Sequence, residues 1–179
     1  WLTQHPEMLP LHLAINRLLL SGIAQVDSYD YGEGYFYQSM DMVGVSGFRD
    51  TRARIEAMDL LRHIENKNVL EIGCNAGFLA ASIAPSAGSV VGFDIMPHLI
   101  EIGSCIQQHL QLENTELLTC SFEEFETNRQ FDVVLSFANH STFDGQTRHT
   151  VAQFFAKCSD LCAPGGQLLF ESHPPELEG

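Results

Sequence analysis

Basic residues are scarce in this chain: its 179 residues hold 9 Lys and Arg against 23 Asp and Glu, a formal net charge of -14. Affinity for a phosphate backbone comes from Lys and Arg that displace counterions, so binding nucleic acid or an anionic membrane through the whole surface is disfavoured. Long apolar runs are missing too. Leu18–Leu20 and Val133–Leu135 fall far short of the roughly 20 residues of a membrane span, so no membrane partner is expected. The first residues, Trp1-Leu2-Thr3-Gln4-His5-Pro6, lack a basic segment followed by an apolar one, so no secretory signal is read there; with no initiator Met, a trimmed or incomplete chain is expected. The five cysteines, Cys74, Cys105, Cys120, Cys158 and Cys162, are odd in number and lie in apolar segments. That is the usage of buried thiols in a reducing cytosol, and a cytoplasmic location is expected. Cys158 and Cys162 stand four apart, but without a nearby His they predict no metal site.

What is present is the composition of a folded domain, 45% hydrophobic and 18% charged, at a length that suits one core without staples. Residues 1–48 are organised differently from the rest. Pro10 to Ser21 reads as a Leu-rich helix closed by Gly22, and Tyr29 to Gln38 is rich in Gly and aromatics without a steady period, so this part is expected to be an arm or lid. Asp50-Thr51 then caps a helix through about His63, with Ile55, Met58, Leu60 and Leu61 as its apolar positions.

From Asn68 onward, β-rich runs (Asn68–Ile72, Ser89–Asp94, Glu116–Thr119, Phe131–Ser136, Gln167–Glu171) alternate with helical windows (Phe78–Ala84, His98–Leu110, Phe122–Thr127, Thr147–Leu161). Alternation at this spacing implies right-handed crossovers and a parallel sheet covered on both faces, a doubly wound α/β domain spanning 49–179. The first run continues as Val69-Leu70-Glu71-Ile72-Gly73-Cys74-Asn75-Ala76-Gly77-Phe78, a strand passing through small residues into a helix. Such a loop lets backbone approach a ligand at the sheet's carboxyl edge. The dinucleotide fingerprint wants Gly at the first, third and sixth loop positions, where this chain has Gly73, Asn75 and Phe78.

The run instead resembles motif I of the class I S-adenosylmethionine-dependent methyltransferases, an acidic residue followed by Gly-x-Gly-x-Gly. Glu71, Gly73 and Gly77 match, and Asn75 replaces the middle glycine; Asn is the side chain that best tolerates positive φ. Val90-Val91-Gly92-Phe93-Asp94 puts an acid at a strand end about 20 residues beyond the loop, where a carboxylate can accept ribose hydroxyls. Cys120-Ser121-Phe122 resembles the adenine-contacting position, with Ser121 where the family commonly has Asp. Phe131 to Ser136 looks like the fourth strand, and Leu161-Cys162-Ala163-Pro164-Gly165-Gly166 the turn into the fifth.

The resemblance implies a Rossmann-like, mostly parallel sheet and S-adenosylmethionine as cofactor. It assigns Glu71, Gly73, Cys74, Asn75 and Gly77 to the methionine part, Asp94 to the ribose, Ile95 or Met96 to one adenine face, Ser121 and Phe122 to the adenine edge, and Ser136 to the end of the fourth strand. Arg49 or Arg52 would pair with the cofactor's carboxylate. The family's sheet normally has two further strands that nothing after Glu171 provides, so the domain is expected to be C-terminally incomplete, with an edge open to self-association.

The implied reaction is methyl transfer to a small-molecule acceptor. The loop Ser136 to Asp144 lacks the Asn/Asp-Pro-Pro-aromatic signature of family members that methylate amino groups of nucleobases or glutamine. His140, with an imidazole suited to proton abstraction near neutrality, is the candidate catalytic base or substrate ligand, with helix capping or pocket lining as its alternative roles. Glu171, His173 and Glu176 form a second constellation near the same edge, read as loop usage before metal binding. Arg49, Arg52, Arg54, Arg62 and Lys67 hold five of the nine basic residues, and Arg49–Glu56 distantly resembles methyltransferases of the tRNA wobble uridine. A tRNA substrate and a non-catalytic cofactor-binding scaffold are the alternatives carried forward.

Overall fold

The computed structural model describes residues 1–23, 36–139 and 149–171. The Leu-rich helix is α1 (Leu9–Ile23), and the helix capped at Asp50 is α2 (Thr51–Ala57), followed by α3 (Leu60–Ile64). The alternating part then runs β1 (Asn68–Ile72), α4 (Phe78–Ile83), β2 (Ser89–Asp94), α5 (Pro97–His109), β3 (Thr115–Thr119), β4 (Phe131–Phe137), α6 (Val151–Leu161) and β5 (Cys162–Glu171). All five strands are parallel, in the order β3-β2-β1-β4-β5. In register, β1 lies between β2 (Val69 beside Val90) and β4 (Val69 beside Val133). The chain moves outward from β1 through β2 to β3 and crosses back to β4. The strand order therefore reverses beside β1, and in such sheets the crevice at the carboxyl ends at that point receives ligands. No sixth strand exists among the described residues, and β5, much of it half-buried or exposed, is one edge.

Alternation along β1 distributes the core. Val69 joins Leu60, Ile64, Leu79, Ile83, Val90, Val133 and Leu135 on the face covered by α3 and α4. Leu70 and Ile72 join Val91, Phe93, Val134, Phe154 and Leu161 on the α6 face. Glu71, two residues from Val69, thus projects toward α4. A third cluster packs Leu11, Ile15 and Leu19 of α1 and Phe36, Met40, Val43 and Val45 against Phe78, Ile102 and Ile106. Residues on both sides of position 48 therefore share one core. No helix among the described residues is long and apolar enough to cross a membrane.

Four sequence expectations change. The helix expected from Asp50 to His63 begins as predicted, with Asp50 Oδ1 accepting the Ala53 N–H at 2.8 Å, but divides at Asp59, whose φ is +46°. Asp tolerates that left-handed conformation, and the break re-aims α3 so that Leu60 and Ile64 are buried. The window Phe122–Thr127 is a turn instead of a helix: the Ser121 hydroxyl donates to Glu124 at 2.9 Å and accepts the Glu124 N–H, so its polar groups are satisfied locally. Phe125 then drops onto Phe93 with ring centroids 4.4 Å apart. Gly22 lies within α1 instead of closing it, and a Cβ there would overlap the His98 ring of α5. The last strand starts at Cys162, with an irregularity between Phe131 and Val133 accommodating the Pro-Gly-Gly turn.

Candidate functional site

The loop after β1 bends through three left-handed residues at alternate positions, Gly73 (φ +64°), Asn75 (φ +53°) and Gly77 (φ +65°). Asn75 thus adopts the conformation its residue type permits. A Cβ on Gly73 would meet the Asn139 side chain, which donates from Nδ2 to the Ile72 carbonyl and accepts the Ser136 hydroxyl at 2.7 Å on Oδ1. Asn139 so ties the exit of β4 to the exit of β1. On the other side, the Cys74 N–H donates to the Phe93 carbonyl at 2.9 Å. The Asp94 carboxylate accepts the Asn75 N–H (2.8 Å) and the Met96 N–H (3.1 Å), joining the loop to the end of β2. Cys74 is buried against Gly92, and burial pushes its thiol well above the usual range, so it lines the loop as a neutral group.

Glu71 lies beneath this loop and is 3% exposed. The backbone N–H of Ala80, in the first turn of α4, bonds its carboxylate, while its Oε2 is buried without a partner. Burial raises its pKa to about 8, opposed by the Arg54 charge and reinforced by Asp94. Arg54, 8% exposed, comes from the inner face of α2. Its Nη2 donates to Glu171 Oε2 at the end of β5 (2.6 Å) and to the Tyr37 hydroxyl (3.2 Å), and its guanidinium lies 5.3 Å from both the Tyr37 and Phe137 rings. Arg54 Nη1 and Arg49 Nε are buried without partners. Beside the loop there is thus one orphaned cationic donor, Arg54 Nη1, and one orphaned carboxyl oxygen, Glu71 Oε2.

The structure brings Glu71, Gly73, Cys74, Asn75, Gly77, Asp94 and Ser136 to one edge, with Ile95 and Met96 next to Asp94. Arg52 does not join them: its side chain is 81% exposed and pairs with Glu56 at 3.0 Å. Two residues along a helix is a rotation of about 200°, so Arg52 and Arg54 face opposite ways. Ser121 is buried and engaged with Glu124. Phe122 turns toward α6, 4.7 Å from the Phe154 ring with the Lys157 ammonium 4.9 Å from its own ring. His140, residues 29–35 of the aromatic arm, His173 and Glu176 lie outside the described residues. Asn139, Arg54 and Tyr37 escaped the sequence reading. Asn139 had a signal, a small polar residue in the loop just beyond a β-run, whereas the inward side of α2 depends on packing. Among the described residues no group of three or more His, Cys, Asp or Glu could hold a metal ion.

Residues 63–177 match the family model described as methyltransferase domain. The chain is 28% identical over 131 residues to a ubiquinone biosynthesis O-methyltransferase of Aromatoleum aromaticum, covering 66% of this chain and 49% of that protein. It is 30% identical over 113 residues to a protein of the same name from Acinetobacter baumannii, covering 61% of this chain and 45% of that one. The chain thus spans about half the length of the curated relatives it matches. The fold resembles that of the N-methyltransferase NodS of Bradyrhizobium japonicum, solved with S-adenosylhomocysteine, at a TM-score of 0.54 and 23% identity, over 66% of this chain and 60% of that one. With the family model covering more than half its length, the chain belongs to the methyltransferase-domain family, among the class I S-adenosylmethionine-dependent methyltransferases.

Proposed function

We propose that this domain binds S-adenosylmethionine in the crevice at the carboxyl ends of β1 and β2 and catalyses transfer of its methyl group to a small-molecule acceptor. The observation that carries the reading is the pair of buried, unpartnered atoms of opposite sign beside the loop, Glu71 Oε2 and Arg54 Nη1. An amino-acid tail offers an ammonium and a carboxylate, which would satisfy both kinds of orphan. The residues fit the cofactor in other respects. Left-handed Gly73, Asn75 and Gly77 give the loop a backbone that can approach a ligand closely, Asp94 stands at the strand end suited to a ribose diol, and Ile95 and Met96 flank it for the adenine face.

When bound, the cofactor supplies an electrophilic methyl group on a sulfonium. The chain's contribution is alignment and exclusion of water, which converts a bimolecular displacement into one within a complex. Glu71 and Arg54, both more than nine-tenths buried, hold opposite ends of the tail, and Asp94 fixes the ribose end. His140 is the proposed base for a hydroxyl acceptor: it follows Asn139, whose bonds to Ile72 and Ser136 anchor the start of that segment. Relatives named as O-methyltransferases support an oxygen nucleophile on a small molecule. The basic cluster also favours a small acceptor over RNA, since Arg52, Arg54 and Arg62 each face a carboxylate, Glu56, Glu171 and Asp59.

The test is transfer of a labelled methyl group from S-adenosylmethionine into a metabolite extract and, separately, into tRNA. Label in a small extractable product is expected. Label confined to the RNA fraction, or cofactor binding without any transfer, would overturn the acceptor assignment.

A further inference from the structure

Glu71 is set apart from the other carboxyl groups of the site. It is almost wholly buried, one oxygen has only the Ala80 N–H for company, and the other has no partner. The cation nearest in effect, Arg54, donates from Nη2 to Glu171 and Tyr37 and lies against the Tyr37 and Phe137 rings, and its unpartnered Nη1 makes no bond to Glu71. The end of β2 adds Asp94, a charge of the same sign, and the loop adds Cys74, a neutral thiol. A bare carboxylate with these neighbours lacks both water and a dedicated counterion.

We propose that Glu71 is a proton-exchanging receptor for the ligand's ammonium group: it holds a proton while no ligand is present and releases it to water when an ammonium docks against Oε2. This rests on the reading of the site as one for S-adenosylmethionine. The balance is simple. A carboxylic acid and an ammonium ion become a carboxylate–ammonium pair and one hydrated proton; the ligand keeps all three N–H bonds and no other bond changes. Burial raises the Glu71 pKa to about 8, so near neutrality the free site holds the proton it would give up. Affinity for a ligand with an amino-acid tail then increases with pH, by about tenfold per unit between pH 6 and 7. It levels near pH 8, where an α-amino group itself begins to lose its proton.

Titration calorimetry at pH 6.5, repeated in buffers of different ionisation enthalpy, counts the protons. With S-adenosylmethionine and S-adenosylhomocysteine, close to one proton should be released per ligand bound. 5′-Methylthioadenosine, which lacks the amino-acid tail, should release none, and Glu71→Gln should abolish release with both tailed ligands. The pH dependence of wild-type affinity gives the same answer without a variant. Binding of the two tailed ligands with no proton release and no rise in affinity from pH 6 to 7 overturns the inference while leaving the cofactor assignment standing. Release that persists in Glu71→Gln assigns the proton elsewhere and overturns it too. Failure of both tailed ligands to bind overturns the cofactor assignment, and the inference with it.

Discussion

Glu71 and Arg54 concentrate the chemistry of the site into two side chains that a folded protein would ordinarily avoid burying. The folded-state pKa of Glu71, about 8, is above the ordinary 4.5, so between those values the folded protein binds more protons than the unfolded one. Stability therefore falls as pH rises through that window, by at most about 1.4 kcal/mol per unit, and levels above it. Glu71→Gln should remove that slope, which thermal melts of both proteins from pH 5 to 8 would register. Arg54→Met should cost about 3 kcal/mol, the low end for a buried pair because Glu171 keeps 29% of its side chain in water. Arg52→Ala, at an exposed pair, should change stability by less than about 0.5 kcal/mol in urea unfolding. The contrast was not legible in the sequence. Asn75 announces its left-handed conformation by residue type, whereas the choice between Arg52 and Arg54 depends on which side of α2 meets β4 and β5.

At the scale of elements, β1 and β2 have the bounds read from the sequence, because a buried parallel strand leaves a mostly apolar run, broken in β1 only by Glu71, between polar or turn residues. Short helical windows were less legible. Phe122 to Thr127 carries helix-compatible residues, yet the Ser121–Glu124 pair and the fall of Phe125 onto Phe93 outweigh propensity over so few residues. Gly103 offers a test with opposite expectations. Propensity alone says that Ala would stabilise α5 by about 1 kcal/mol. Packing says otherwise, since a Cβ there would stand 2.6 Å from the Ala76 carbonyl oxygen and 2.6 Å from Leu117 Cδ1. Gly103→Ala is expected to cost about 1–3 kcal/mol and, because Ala76 belongs to the loop after β1, to weaken cofactor binding as well. Thermal denaturation combined with calorimetry separates the two effects.

For the whole molecule, the net charge of -14 has a local structure. Three arginines between Arg49 and Lys67 face carboxylates, one of them, Arg54, inside the candidate site; Glu71 and Asp94 stand at the proposed cofactor edge. The parallel order β3-β2-β1-β4-β5 places motif I at the point where strand order reverses; the spacing of strands and loops implied a parallel sheet with this loop at its carboxyl edge, but not the order of the strands. The acceptor's identity was not legible, because the segments that follow β4 and β5 carry no motif that names a nucleophile. The most direct measurement is calorimetric titration of S-adenosylhomocysteine into the wild-type protein and Asp94→Ala. One-to-one binding is expected, weakened about 10- to 100-fold by loss of the carboxylate's charge-assisted bonds. No binding to the wild type, or undiminished affinity in the variant, would contradict a cofactor site at the ends of β1 and β2.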